Sequence, residues 1–377
     1  MKKIETKKDN RNMIYRFIRE KEAVSKQDIA YGLNLSLPTV TQGLEYLLER
    51  KLIGSEGRIK NTVGRNAVAY SYLKNARVAA GLDLTLHHIR GVLVNLSGEV
   101  VYSFQERMNY ERTDAYFRHV SEVLDDMLRE AEISVEDDLI GVGIAMPGLV
   151  TEDSVTEKVT YGLAMDNNGL TRQDIAQYIP YHAKLYHDAG AAGYGEVWSN
   201  PKTKNAFYIN LSNTVGGSVL IDNSIYEGST QKGGEIGHLV IHPEGDRICY
   251  CGKRGCMDPY CSAQALSDYT EGDLGVFFQK LENGDEEIQN IWNQYLNDLA
   301  LAITNVRMLF DSTIILGGYV GAYMQPYLEE LWKRVNERNP FGDDAREYVR
   351  CARYKMETVA VGAAIFFISS FIEAIGE

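Results

Sequence analysis

The sequence predicts a winged helix-turn-helix followed by a two-lobed α/β body, and three observations lead there. Residues 1–75 carry three short helical patterns and then a hairpin pattern. The rest holds two strand-rich sections, each with helices, that part near Gly190. The charge also reverses: residues 1–75 hold 15 Lys and Arg against 8 Asp and Glu, a net of +7, while the remainder nets −20 within a total of −13. A basic head on an acidic body invites a polyanion at one end only, because screening confines the attraction to about 8 Å in the cell.

The head is justified element by element. "NRNMIYRFIREKE" sets Met13, Ile14, Phe17 and Ile18 on one helical stripe. Ser25 caps a second helix, "KQDIAYGL", with Asp28 three residues on completing a capping box. Ser36 caps a third, with Pro38 in its first turn and Val40, Leu44, Leu47 and Leu48 as its buried face. That leaves Thr39, Thr41, Gln42 and Glu45 outward. With Ser36, short polar groups such as Thr39, Thr41 and Gln42 can approach base edges in a major groove, so operator DNA is the expected partner. "LIGSEG" and "NTVGRNAVAYSYL" form the wing, with Arg58 and Arg65 near its turn. The other readings of such a head are a protein-docking module or a basic segment that only aids solubility. One such module reads few base pairs, so a homodimer on a pseudo-palindrome is expected, with a tetramer as the larger alternative.

The body, 76–377, opens with three strands in "VAAGLDLTLHHIRGVLVNLSGEVVYSFQERM" and an amphipathic helix carrying Phe117, Val120, Leu124, Met127 and Leu128. "LIGVGIAMPGLV" is a buried strand ending in a Pro-Gly turn, and "KNAFYINLSNTVGGSVLIDNSIYEG" begins the second strand set. A long helix from Ile288 to Phe310 precedes the strand "TIILGG". Lobe one is expected over about 76–190 plus the C-terminal helix, and lobe two over about 191–355, with a cleft between them. The most apolar run, Val359 to Ile372, is too short to cross a bilayer. No apolar stretch follows the first lysines, so no membrane association and a cytoplasmic location are expected.

In a reducing compartment, three cysteines crowded into "CYCGKRGCMD" suit a metal better than a disulfide. Cys249, Cys251 and Cys256 offer three thiolates, and the glycines of "GKRG" let the chain curl round one ion. The fourth ligand is open between His238 and His242, and three packed thiols without metal is the competing reading. Cys261 and Cys351 lie outside the pattern and are expected as packed thiols.

These stretches, with "HDAG", "GGEIGH" and "HPEG", resemble the ROK family of bacterial transcriptional repressors and sugar kinases over essentially the whole chain. The repressor branch, with its xylose and N-acetylglucosamine repressors, is the nearer likeness. The resemblance implies an actin-like, ribonuclease H-like body with a monosaccharide in the cleft. It makes His238 the expected partner in a closed Cys3His zinc site, structural and one per chain. It implies sugar contacts from Glu235 and His238, and from His187 and Asp188, where the family has an Asn-Asp pair. Asn167 in "DNNGL" would contribute too, with Leu170 where an aromatic is usual, as would Asp258 in place of the usual Glu. Arg65 resembles the arginine that enters an A·T-rich minor groove beside the wing.

Kinases of the family carry Asp-x-Gly-Gly-Thr on the first hairpin, because a backbone can approach a phosphate closely only where no Cβ intervenes. Here "DLTLHH" puts Thr85 and Leu86 in place of both glycines, leaving Asp83 alone. Gly216, Gly217, Gly317 and Gly318 persist, but they equally suit strand turns. Asp188 stands where the resemblance puts the base that activates the sugar hydroxyl, as a relic with no catalytic partner. The expected function is therefore a sugar-responsive repressor without kinase activity, released from its operator by a monosaccharide. The alternatives are a sugar kinase phosphorylating a hexose with ATP and a repressor governed by a protein partner.

Overall fold

A computed structural model describes residues 2–55, 58–59, 67–152, 157–162 and 165–376. The head runs α1 (Lys2–Lys21), β1 (Ala23–Ser25), α2 (Lys26–Gly32), α3 (Leu37–Glu49), β2 (Ile53–Gly54), β3 (Arg58–Ile59) and β4 (Ala67–Tyr72). β4 pairs antiparallel with β1, β2 and β3, which builds the expected wing onto a strand the sequence pattern did not reveal, β1. Ser25 and Asp28 form the capping box of α2, and Ser36 caps α3 through the Thr39 amide. α1 starts well before its apolar stripe, at Lys2, in a segment rich in Lys, a good helix former. Its buried residues are Ile14, Tyr15 and Ile18, whereas Met13 is 42% exposed. The stripe is thus shifted by Tyr15, whose ring meets Tyr72 of the wing edge-on at 5.9 Å.

Lobe one comprises β5 (Val78–Leu84), β6 (His88–Asn95), β7 (Val100–Arg107), α4 (Asp114–Glu130), β8 (Leu139–Met146), β9 (Leu149–Glu152), β10 (Glu157–Tyr161), α5 (Arg172–Ala176) and β11 (Ala183–His187). Five of these strands form a mixed sheet in the order β11-β8-β5-β6-β7. α6 (Asp188–Trp198) leaves its edge and packs against both sheets. Lobe two follows as β12 (Ala206–Leu211), β13 (Val215–Ile221), β14 (Ser224–Ile225), α7 (Asp258–Cys261), α8 (Gln264–Ser267), α9 (Leu274–Glu282), α10 (Glu286–Phe310), β15 (Thr313–Gly317), α11 (Gly318–Tyr323), α12 (Leu328–Asn336) and β16 (Val349–Cys351). Its sheet has the order β14-β13-β12-β15-β16.

The chain returns to lobe one through α13 (Thr358–Ala374), which is apolar on nearly all sides because it is enclosed on nearly all sides. Close approach is obligatory there. A Cβ on Gly81 would sit 1.8 Å from the Ala360 carbonyl, and one on Gly362 would sit 1.8 Å from the Ala191 carbonyl of α6. One apolar core joins the head, through Ile14, Ile18, Val40 and Leu47, to β5, β6 and much of the length of α13. Among the described residues, no helix is long and apolar enough to cross a membrane.

Candidate functional site

A cavity of about 740 Å3 lies between the lobes. Lobe one supplies Asp83, Thr85, Leu86 and Pro147; lobe two supplies Asn210, Thr214, Tyr250, Asp258, Tyr269 and Tyr319; α6 and α13 supply Asp188, Thr358 and Val359. Each reaches it for a local reason. Asp188 begins α6, where its Oδ1 accepts the Ala189 amide at 2.7 Å and lies 3.1 Å from His187 Nε2. Burial pushes its carboxyl up to about 6. Asp258 opens α7, and its Oδ1 accepts the Val215 amide at 2.7 Å from the start of β13. Burial raises it, too, to about 6.

Glu235 lies near His187 and Asp188, and burial raises its pKa. It does not line the cavity, nor does His187, which faces a separate surface groove beside Tyr194 and Phe366. Asn167 is fully buried. Its amide donates to the Pro147 carbonyl at 2.8 Å, so it meets the cavity through Pro147, and its own Oδ1 has no hydrogen-bond partner among the described residues. Leu170 is core.

Beside the cavity, His238, Cys249, Cys251 and Cys256 bring four ligand atoms within 4.8 Å of one another, a cluster that could hold one metal ion. The chain folds this way because Ile248 and Arg254 bridge across a tight turn with Gly252 at φ +81°. His242 turns away to Asp298 at 2.9 Å. Burial pushes the Cys249 thiol up to about 12, so a cation in the cluster is what would ionise it at neutral pH. His238 directs Nδ1 at Cys249 Sγ (3.6 Å) and Nε2 at the Tyr250 hydroxyl (3.2 Å), which links the cluster to the cavity wall. Cys261 is buried and Cys351 half-buried, both as free thiols.

Sequence reasoning missed an ion pair behind the cavity. Arg90 on β6 lies 3.6 Å from Asp83 and donates to the Tyr319 hydroxyl of lobe two at 2.6 Å. Burial pushes the Asp83 carboxyl up to about 7 against the pull of Arg90. A lone arginine inside the apolar run "HHIRGVLVNL" was the available signal, since a buried guanidinium requires a partner.

In the head, the Ser36 and Thr39 hydroxyls bond each other at 2.9 Å, and Thr41 donates back to the Leu37 carbonyl at 2.7 Å. Gln42 is exposed on the same helix. Arg58 pairs through its backbone with Val68 on the wing, and Arg65 lies outside the described residues.

Known proteins place this architecture. The chain is 22% identical to the xylose repressor of Caldicellulosiruptor bescii across 97% of both chains. To that of Bacillus subtilis it is 27% identical over 69% of this chain and 67% of the relative. A crystal structure of a ROK family transcriptional regulator, a homologue of the E. coli MLC protein, superposes with a TM-score of 0.73 at 20% identity over 98% of both chains. A ROK family glucokinase from Streptomyces griseus, solved with glucose and AMPPNP, gives 0.63 at 20% identity over 77% of this chain and 98% of its own, and so shares the body's fold. Residues 79–370 match the ROK family pattern, and the chain belongs to the ROK family.

Proposed function

We propose that the chain is a sugar-responsive transcriptional repressor without phosphotransfer activity. Residues 1–75 hold operator DNA through Ser36, Thr39, Thr41, Gln42, Arg58 and Arg65, and residues 76–377 hold the effector. The observation that carries this reading is the state of the cleft. Asp188 and Asp258 face it, as a polyol requires, since a carboxylate accepts two hydroxyls at once. Leu86, by contrast, puts a side chain into the cavity from the hairpin where family kinases carry glycine. Full-length similarity to xylose repressors supports the same conclusion.

The sugar ring lies at Asp188 and Asp258, with Glu235, His187 and His238 behind them and Asn167 fixing the Pro147 wall. The metal is zinc. Tetrahedral bonds of about 2.3 Å to sulfur and 2.0–2.1 Å to nitrogen set S···S near 3.8 Å and S···N near 3.6 Å. Cys251 and Cys256 lie at 3.8 Å, and Cys249 and His238 at 3.6 Å. Four protein ligands leave no open position, so the ion holds the loop and orients His238 rather than activating a substrate. The protein acts as a homodimer on a two-fold operator, in the cytoplasm.

The test pairs two measurements on the purified chain. A thermal-shift screen against aldoses is expected to find a stabilising sugar, and a coupled ATP-turnover assay with that sugar is expected to stay at background. Turnover above background would make the protein a kinase with a DNA-binding head.

A further inference from the structure

The cavity is larger than a single sugar ring fills. A water molecule occupies about 30 Å3 of liquid, and a pyranose displaces some five or six waters, so about 150–180 Å3. That is roughly a quarter of the 740 Å3 present. In a ligand site most of the ligand surface is buried, so the remaining volume belongs to more ligand.

The lining states what that ligand is. Asp188, Asp258 and Asp268 face the space with two cations, Arg247 and Lys355, while Asp83 at its edge is paired with Arg90. Neutral hydroxyls find acceptors among them, whereas a triphosphate meets Thr85 and Leu86 rather than glycine on the first hairpin. The space also has direction. Its Tyr269 and Tyr319 end, with Asn213 and Met356, is shared with a neighbouring cavity of about 890 Å3 that Asp188, Asp258 and Tyr250 do not line. The cleft therefore continues outward past Tyr269, which is 46% exposed. Tyrosines along such a path present flat apolar faces and polar rims, the surface a chain of sugar rings requires.

We propose that the effector is a neutral saccharide of two or more rings, its first ring at Asp188 and Asp258 and its next against Tyr269 and Gln264. This rests on the sugar reading of the cleft given above. The ligand bridges lobe one, α6 and the α7–α8 segment of lobe two, so a longer saccharide spans more of the junction than a single ring does.

The experiment is calorimetry on the metal-loaded full chain with matched series: xylose, xylobiose and xylotriose; glucose, cellobiose and maltose; and AMPPNP as the anionic probe. In at least one series the two-ring sugar is expected to bind tenfold or more tighter than its single ring, with AMPPNP not binding. Tyr269→Ala and Ala265→Trp, one removing the outer platform and one filling the space beside it, are each expected to cut the two-ring to one-ring affinity ratio to within about twofold. A single ring binding as tightly as its longer homologues, with that ratio unmoved in both variants, overturns the proposal and leaves the sugar-responsive reading standing. Absence of binding by every saccharide overturns both. AMPPNP binding in preference to the saccharides overturns the proposal and returns the cleft to a nucleotide.

Discussion

Asp188 carries the most chemistry of any single residue, because its carboxyl is buried at the start of α6 on the wall of the cavity proposed to hold the sugar. The groups facing it are His187 at 3.1 Å, Glu235 and Asp83. Burial lowers the His187 pKa, so the imidazole stays neutral and lends Asp188 no positive charge at neutral pH. The sugar-accepting form is the ionised one, so saccharide affinity is expected to rise as pH climbs through about 6 and to level off above it. The stability effect has the opposite sign. A carboxyl whose folded pKa is raised holds a proton in the native state that the unfolded chain releases at about 4. Native stability therefore falls between about pH 4 and pH 6 and stays lower above that window. Asp188→Asn keeps an acceptor for the Ala189 amide and removes the charge. Relative to the unchanged chain, it is expected to gain on the order of 1–3 kcal/mol at pH 8 and little at pH 4, read from urea midpoints at the two pH values. An equal gain at both would show that Asp188 is not titrating. At the metal cluster, elemental analysis is expected to give about one zinc per chain, a ratio set by four-ligand coordination. Cys251→Ser is expected to lower it and to weaken saccharide binding, since His238 joins the cluster to Tyr250 on the cavity wall.

At the scale of the element, α6 and α13 are the mechanical parts. Both begin at the cavity, at Asp188 and Thr358, and both end at the head. α6 ends on Trp198, whose ring lies 4.7 Å from the Arg19 guanidinium of α1. α13 spans 17 residues, about 25 Å, and its far end accepts a hydrogen bond from Asn12 at the Ile372 carbonyl. Just beyond it, the Gly376 amide donates to the Tyr46 hydroxyl of α3 at 3.2 Å. Between those ends the helices touch backbone to backbone at Gly362, so displacement of one moves the other with no side chain to absorb it. Gly362→Ala is expected to cost on the order of 1–3 kcal/mol, measured by denaturant unfolding. The paired change Asn12→Ala with Tyr46→Phe is expected to leave saccharide affinity unchanged while shrinking its effect on operator binding. An undiminished effect would move the coupling to another path. These parts also mark how far the sequence can be read. The caps of α2 and α3, the main strands of both sheets and the three clustered cysteines were legible because each depends on residues a few positions apart, whereas β1 was not and His238 came from the family resemblance. The Arg90–Tyr319 bond joins residues 229 apart, and the cavity wall draws on both lobes, so no local pattern encodes either. The sequence predicts α13 as a C-terminal helix of lobe one, but what encloses it, β5, β8 and α6, lies far away in the sequence.

The whole molecule is a basic head bound to an acidic two-lobed body with a cleft between the lobes. In the proposed function operator DNA and saccharide would touch opposite ends, so one could affect the other only if the lobes have two arrangements that bind each ligand unequally. Contacts that cross the lobe boundary include the packing of α6 against both sheets, the Tyr354 hydroxyl donating to the Gly98 carbonyl at 2.6 Å, and the bond from Arg90 to Tyr319 beneath the cavity. A ligand that bridges Pro147 of lobe one and Asp258 of lobe two must draw on the same boundary, and any rotation there is carried along α13 to α1 and α3. In a dimer that rotation alters the spacing and tilt of two heads whose half-sites are fixed by the DNA helix. The saccharide is therefore expected to lower operator affinity by about 5- to 150-fold, corresponding to a coupling of about 1–3 kcal/mol. Asp188→Ala is expected to abolish that response while leaving operator affinity without saccharide unchanged, because Asp188 lies at the cavity end of α6 and the head is held by the other. The measurement is fluorescence anisotropy of an operator duplex at one fixed salt concentration, since the +7 head makes affinity salt-dependent. A saccharide that saturates the cleft by calorimetry and leaves the operator curve where it was would mean that the lobes do not communicate with the head.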